Sequence, residues 1–152
     1  MSGNDLLRPS IGTVDSPQRP LYSATAGYLT AFFGGPFAAT GMAGLNAWRL
    51  GRLRTDALAL AGGMAIAIGL VAFMLRPDLF GRPEIDFATR DVRIGMRVLA
   101  LLLFGAFWLL HRRYYRGMQF LGLEAPNPWP AAIACIAADI GLTMLLATML
   151  AR

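Results

Sequence analysis

Residues 131–150 read AAIACIAADIGLTMLLATML, and Asp139 is the only side chain among these twenty that carries a formal charge. Twenty residues of α-helix extend about 30 Å, which matches the thickness of the hydrocarbon core of a bilayer. Pro130 immediately precedes the stretch and suits the first turn of a helix. The stretch therefore predicts a transmembrane helix that holds one carboxylate close to its midpoint.

Three further apolar segments precede this one, and short arginine-containing stretches separate them. Each segment approaches or exceeds the length of a bilayer crossing at about 1.5 Å per helical residue. The sequence therefore predicts an all-α integral membrane protein, a four-transmembrane-helix bundle that forms a single domain. The predicted parts are a flexible polar tail at 1–20, the domain at 21–152, and helices at about 21–48, 57–75, 91–110 and 130–151.

The first predicted helix contains a weak point at Gly34, Gly35 and Pro36. Pro36 has no backbone N–H, so the carbonyl of Phe32 loses its helical partner, and the proline ring clashes with the preceding turn. Two adjacent glycines lower the resistance to bending. We therefore expect the first helix to cross the membrane with a kink at these three residues.

The overall composition supports a membrane location. Of 152 residues, 56% are apolar and 15% are charged, whereas soluble domains carry about 45–50% and about 25%. Such a chain is too hydrophobic for disorder and has more apolar surface than its own core can bury. The net charge of +5 results from 14 arginines and nine acidic residues, and the arginines cluster beside apolar segments. Anionic lipid head groups, rather than nucleic acid, are therefore the expected partner.

The chain has one cysteine, Cys135, and one histidine, His111, which limits its chemistry. An intrachain disulfide needs two thiols, and a structural zinc site needs about four ligands, mostly Cys and His. His111 precedes Arg112 and Arg113 where a helix leaves the membrane, so we interpret it as an interfacial residue rather than a catalytic base. We expect no catalytic residue, no metal and no cofactor, and therefore no enzyme.

The distribution of arginines predicts an orientation. With four spans, both termini lie on the same side of the membrane as residues 76–93. Segments 49–56 and 111–128 lie on the other side, and each contains three arginines within six residues. Basic residues close to helix ends favour the cytoplasmic side. We therefore predict that these two segments are cytoplasmic and that both termini are periplasmic.

Asp139 is the strongest single indication of a functional site. A charged carboxylate at the bilayer midplane costs about 2.5–3.5 kcal/mol on insertion scales, so it needs a partner, a proton or a wet surrounding. Cys135 and Thr143 lie one turn before and after it on the same helix face, and Asn46 and Arg97 are the candidate partners from other helices. The residue is either a proton or cation site or a protonated carboxyl that donates one interhelical hydrogen bond.

Small residues recur at every fourth position of the first two predicted helices, which lets helix backbones approach closely in lipid. We expect these helices to pack tightly, with each other or with a partner, in a homo-oligomer or a larger membrane complex. The candidate packing residues are Gly27, Ala31, Gly35, Ala39 and Ala43 in the first helix, and Ala61, Ala65 and Gly69 in the second.

A basic and aromatic cluster follows the third apolar segment. Tyrosine and tryptophan are enriched at the depth of lipid head groups, and arginine is attracted to anionic lipid there. The cluster therefore indicates a membrane interface. The candidate interface residues are Arg112, Arg113, Tyr114, Tyr115, Arg116 and Trp129.

Residues 28–39 read YLTAFFGGPFAA, and residues 46–51 read NAWRLG. This part of the chain resembles the first helix of small bacterial multi-pass membrane proteins that carry an F-x-G-G-P pattern. The resemblance implies a helical protein of the bacterial inner membrane with three or four spans. It implies no activity, because none is assigned to that group.

Three functions remain open from the sequence. The first is a non-enzymatic accessory or interaction subunit that packs through small-residue helix faces. The second is a small proton- or ion-coupled transporter or channel that uses Asp139. The third is an immunity protein against a membrane-directed toxin, which fits the size of the chain but has no residue signature.

Overall fold

The computed structural model describes residues 19–75, 89–120 and 122–150, and within these ranges the chain is all-helical. The predicted tail falls outside the described residues up to position 18, as does residue 151 at the end of the last predicted helix. The helices are α1 (Ala24–Gly34), α2 (Pro36–Arg49), α3 (Leu53–Leu75), α4 (Thr89–Phe120) and α5 (Trp129–Leu150).

The first apolar segment forms two short helices instead of one long helix. Ser23 caps α1 by accepting a hydrogen bond from the backbone N–H of Ala26 at 3.2 Å. α1 ends at Gly34, and α2 begins at Pro36, which is well suited to a first helical position. Gly35 between them has φ +107° and ψ −166°, a conformation that is essentially confined to glycine.

α1 and α2 run antiparallel and form a hairpin. The N–H of Tyr22 donates to Asn46 Oδ1 at 3.0 Å, and Arg49 Nη1 donates to the carbonyl of Pro20 at 2.6 Å. In a continuous helix, Tyr22 and Asn46 would be about 36 Å apart, at about 1.5 Å per residue. The prediction of one kinked helix is therefore corrected: the interruption lies at Gly35, but its left-handed backbone turns the chain back on itself.

Three helices in the described part of the chain are long and apolar enough to cross a membrane: Leu53–Phe73, Arg93–Phe120 and Trp129–Leu150. By contrast, α1 and α2 extend only about 16 Å and about 21 Å at 1.5 Å per residue, which is too short for a crossing. The structure is compatible with an integral membrane protein of three spans. The first predicted span, at about 21–48, is not confirmed, because its residues form the hairpin.

The hairpin opens towards one end of the helix bundle. Leu21 before α1, Leu50 after α2 and Met118 near the end of α4 pack in one buried cluster. Beside them, the guanidinium of Arg19 lies 5.1 Å from the ring centroid of Trp48. We call this the hairpin end of the bundle; it contains residues 19–23, 46–56, 111–120 and 122–129.

The opposite end, which we call the far end, is formed by the long helices alone. Val71 of α3, Met96 of α4 and Leu146 of α5 meet there around the buried ring of Phe37. α5 therefore starts at the hairpin end and finishes at the far end, so Arg19 and Leu150 lie at opposite ends of the bundle. The two termini, for which the sequence predicts a shared side of the membrane, lie outside the described residues.

Two of the helices, α3 and α4, are longer than predicted, and α5 begins one residue earlier than predicted. α4 continues ten residues beyond residue 110, because the buried side chain of Met118 holds this basic and aromatic turn against the hairpin. Gly122, with φ +62°, then ends the helix, and the N–H of Leu123 donates to the carbonyl of Met118 at 3.2 Å. α3 begins at Leu53 instead of residue 57, and α5 begins at Trp129.

The reversal predicts a large effect of Gly35→Ala. The added Cβ would lie 3.1 Å from both carboxylate oxygens of Asp139, in a backbone conformation that costs about 1–3 kcal/mol for other residues. We therefore expect the free energy of unfolding to fall by at least this conformational cost, as measured by SDS titration of the detergent-solubilised protein. Gly62→Ala is the control, because nothing lies within 4 Å of its Cβ position; equal stability of both variants would contradict the reversal.

Candidate functional site

The tip of the hairpin is held by Asp139 from the middle of α5. Asp139 Oδ1 accepts hydrogen bonds from the backbone N–H groups of Phe37 at 2.9 Å and Ala38 at 3.1 Å. Only 6% of the residue is exposed. Asp139 follows Trp129 by ten residues, which places it about 15 Å along α5, at half the thickness of a hydrocarbon core.

These two hydrogen bonds satisfy the N-terminus of α2. The first N–H groups of a helix lack an internal partner, and Pro36 has no N–H, so Phe37 and Ala38 are the groups that need an acceptor. Ala39 already donates to the carbonyl of Gly35 at 3.0 Å. Hydrogen bonds to a charged group contribute about 1.5–3 kcal/mol each, and a helix N-terminus also favours a carboxylate.

The balance of these energies explains how a carboxylate is tolerated at mid-depth. The free energy that two such hydrogen bonds contribute together equals or exceeds the cost of about 2.5–3.5 kcal/mol for placing a charge at the bilayer centre. The structure thus shows Asp139 accepting two backbone hydrogen bonds. Among the described residues Asp139 donates no hydrogen bond, and its protonation stays a prediction, because a protonated carboxyl can also accept through Oδ1.

A cavity of about 250 Å³ lies beside the tip, on the side of the far end. Asp139 and Thr143 of α5 line it together with Arg93 and Arg97 of α4 and with residues 32–36 of the hairpin. The cavity therefore connects the carboxylate at mid-depth with the arginine-bearing first turns of α4. It is the place in the described structure where an intramembrane carboxylate, a hydroxyl and two guanidinium groups meet.

The structure brings some predicted members of this site together and separates others. Arg97 shares the cavity with Asp139, but its guanidinium lies over the ring of Phe32, 4.9 Å from the centroid. No ion pair joins Arg97 to Asp139 among the described side chains. Cys135 does not line the cavity; its Sγ lies near Gly41, 3.3 Å from where a Cβ would be.

Asn46 lies at the hairpin end, far from the tip, and is not the partner of Asp139. Its Oδ1 accepts from the N–H of Tyr22, and its Nδ2 donates to the hydroxyl of Tyr115 at 2.9 Å. Arg49 lies 4.2 Å above the Tyr22 ring and donates to the Tyr22 hydroxyl at 3.3 Å. Asn46 therefore closes the open end of the hairpin and joins it to α4.

A second buried polar cluster lies at the hairpin end. His111 Nε2 of α4 and Asp56 Oδ2 of α3 are 2.8 Å apart, and both residues are buried. Arg52 Nε lies 3.8 Å from Asp56 Oδ1, and Arg52 Nη1 donates to the hydroxyl of Tyr114 at 2.7 Å. This cluster links the ends of two long helices through side chains.

The sequence pattern does not predict this cluster, because His111 before two arginines is interpreted as an interfacial residue. A signal was present: Asp56 and Glu124 are the acids in the two segments predicted to share one side, and His111 ends the apolar stretch on that side. A buried imidazole and a buried carboxylate need partners, and each is available to the other. Burial depends on packing, which the local pattern around His111 does not reveal.

The predicted packing residues divide into two groups. Gly27, Ala31, Ala39 and Ala43 are buried within the hairpin, and a Cβ on Gly27 would overlap the ring of Phe104. Gly35 is the residue of the reversal itself. The group on α3 is exposed on the outer surface of that helix; it consists of Ala61, Ala65 and Gly69.

The predicted interface residues all lie at the hairpin end. Tyr114 and Tyr115 are partly buried and take part in the hydrogen bonds described above. The exposed members are Arg112, Arg113, Arg116 and Trp129.

Among residues 19–75, 89–120 and 122–150, no three His, Cys, Asp or Glu side chains come together as a metal site would require. Comparison with protein-family models, with characterised proteins and with solved structures finds no match to this chain.

The buried pair predicts a clear effect of His111→Ala. Removal of the imidazole leaves Asp56 buried without its closest partner, which should lower the free energy of unfolding by about 3 kcal/mol. Arg113→Ala is the matched control on the same helix, because its exposed side chain should change stability by no more than about 0.5 kcal/mol. Both are measured by SDS titration, and similar stability of both variants would contradict the pairing.

Proposed function

We propose that this protein is a small proton- or ion-coupled membrane transporter or channel, and that the tip of the hairpin is its site. The observation that carries the proposal is that Asp139 both caps the N-terminus of α2 and lines the cavity beside the hairpin tip. The same side chain is thus in contact with the cavity and bound to the backbone of the hairpin tip.

The architecture supports this proposal. Helices that end at mid-depth expose backbone groups in hydrocarbon, and membrane proteins tolerate such breaks where the backbone lines a cavity or is buried in protein. In many transporters, interrupted helices of this kind form the substrate and ion sites near the bilayer midplane. The break at Gly35 has the same setting, with a carboxylate at the helix N-terminus and a cavity beside it.

We infer a switching step that uses the same contacts. A proton that enters the cavity and binds to Asp139 neutralises the carboxylate to which the N–H groups of Phe37 and Ala38 donate. The two N–H groups then lose charge-assisted hydrogen bonds, which are about twice as strong as neutral ones. The tip is thereby released from α5, and proton loss restores the contact.

Asp139→Asn tests the proposal. The amide oxygen can still accept from Phe37 and Ala38, so the hairpin is kept, but the titratable charge is lost. In proteoliposomes with an imposed pH gradient and a K⁺-valinomycin potential, followed with an internal pH dye, we expect proton flux to fall by about tenfold or more, because intramembrane carboxylates carry such pathways.

Glu124→Gln is the matched control, since it makes the same chemical change at an exposed acid and should leave flux intact. Thermal unfolding of both variants checks that the fold is retained. Flux in the Asp139→Asn protein equal to that of the wild type would refute the proposal, as would a wild type that conducts no protons or alkali cations.

We propose a location in a bacterial inner membrane with the hairpin end in the cytoplasm. Seven arginines belong to the hairpin end, against five in residues 76–97, and basic residues near helix ends favour the cytoplasmic side. The seven are Arg19, Arg49, Arg52, Arg54, Arg112, Arg113 and Arg116.

Cysteine labelling tests this orientation. In a Cys135→Ser background, cysteines at positions 19 and 124 should react only from the cytoplasm, and a cysteine at position 86 only from the periplasm. Reaction of positions 19 and 124 from opposite sides would contradict the hairpin, because it requires the first segment to cross the membrane.

A second candidate is the non-enzymatic accessory subunit, and one observation favours it. The stripe formed by Ala57, Ala61, Ala65 and Gly69 is exposed along α3, and such small-residue faces allow close helix association in lipid. A stoichiometric larger partner that co-purifies in mild detergent, together with no flux in reconstituted protein, would favour this candidate. The third prediction, an immunity protein, stays without a residue that favours it.

A further inference from the structure

The cavity between the start of α1 and the end of α4 is separate from the site at the hairpin tip. Its volume is about 440 Å³, whereas a water molecule takes about 30 Å³ in the liquid. Residues 22–25 form one wall, and Trp108, Arg112, Tyr115 and Arg116 contribute to the other. Among the residues that the structure describes, no carboxylate lines it.

We propose that this cavity binds a phosphate group, carried either by an anionic phospholipid or by a soluble phosphate ester. Arg112 and Arg116 are four residues apart and so lie on one face of α4. Neither forms an ion pair within the described part of the chain. Their planar guanidinium groups present paired N–H donors in the geometry that phosphate oxygens accept.

The polar atoms around the arginines are already positioned. The hydroxyl of Tyr115 accepts a hydrogen bond from Asn46 Nδ2 at 2.9 Å, so its own hydrogen remains available as a donor. The opposite wall contains Ala24 and Thr25, the first two residues of α1, whose backbone N–H groups have no acceptor among the described residues. The hydroxyl of Tyr115 and these two N–H groups add hydrogen-bond donors to the arginine pair, which supplies the positive charge for a phosphate group.

The surroundings fit the phosphate of a lipid. The cavity lies in the basic and aromatic turns of α4, and residues of this type are enriched at head-group depth. Trp108 lies on the side towards the apolar part of α4 and provides apolar surface for the parts of a ligand next to its phosphate. Binding of a phosphate group at this cavity is independent of the role of Asp139.

The test uses the full-length protein in neutral detergent and measures thermal unfolding and, by native mass spectrometry, retained lipid. Four probes are added separately: phosphatidylglycerol, phosphatidylcholine, glycerol 3-phosphate and inorganic phosphate. We expect phosphatidylglycerol to bind and to raise the unfolding midpoint of the wild type. In the Arg112→Gln/Arg116→Gln variant, the affinity for phosphatidylglycerol should fall by about tenfold or more, because two charge-assisted contacts are lost.

Arg54→Gln/Arg113→Gln is the matched control, because it removes the same charge from two exposed arginines that do not line the cavity. Its affinity for phosphatidylglycerol should equal that of the wild type. The affinity of the Asp139→Asn variant should also equal that of the wild type, and this result separates the phosphate site from the proposed transport function. Binding of phosphatidylglycerol but not of glycerol 3-phosphate identifies a lipid site, and binding of both identifies a phosphate-ester site; either supports the proposal.

Three results would overturn it: no binding of any anionic probe, equal binding of phosphatidylcholine and phosphatidylglycerol, or equal loss of affinity in the two double variants. Should the glutamine pair fail to fold, Arg112→Lys/Arg116→Lys replaces it. Lysine keeps the charge but lacks the planar fork, so a several-fold loss of affinity is expected, and unchanged affinity would overturn the proposal.

Discussion

The hydrogen bonds from the backbone of Phe37 and Ala38 to Asp139 are the contacts on which the arrangement of the hairpin depends. A chain that reverses at mid-depth leaves helix-terminal N–H groups where lipid offers no acceptor, and each such group costs several kcal/mol if it stays unpaired. Proline removes one of these groups, and the carboxylate accepts from the next two. The same contacts explain why an acidic residue is tolerated in the middle of an otherwise apolar helix.

A hairpin of half the membrane depth makes the two ends of the bundle different. At the hairpin end, five helices pack together, and the buried polar groups of Asn46, Asp56 and His111 all have partners. At the far end, three long helices remain, and the cavity beside the tip exposes the Asp139 carboxylate to the same space as Arg93 and Arg97. The two ends therefore differ in the helices that form them, and the proposed transport site lies on the side of the far end.

The small-residue pattern shows how one sequence signal has two structural meanings. In the hairpin, Gly27 and Ala31 are buried because neighbouring side chains such as Phe104 fill the space a larger residue would need. On α3, Ala61 and Ala65 carry the same spacing and are exposed. Spacing predicts that a helix face permits close approach, but packing against a particular neighbour decides whether this protein itself uses that face.

The sequence by itself determined that the chain is helical, that it contains helices long enough for a membrane, and that the chain is interrupted at Gly35 and Pro36, because length, hydropathy and the missing proline N–H are local properties. It also singled out Asp139 through its unfavourable setting. Only the tertiary structure decided that the chain reverses at the interruption, that Asp139 caps α2, and that His111 pairs with Asp56. These contacts join residues that are 24 to 102 positions apart, so no periodicity or local propensity specifies them, and the packing of the helices brings them together.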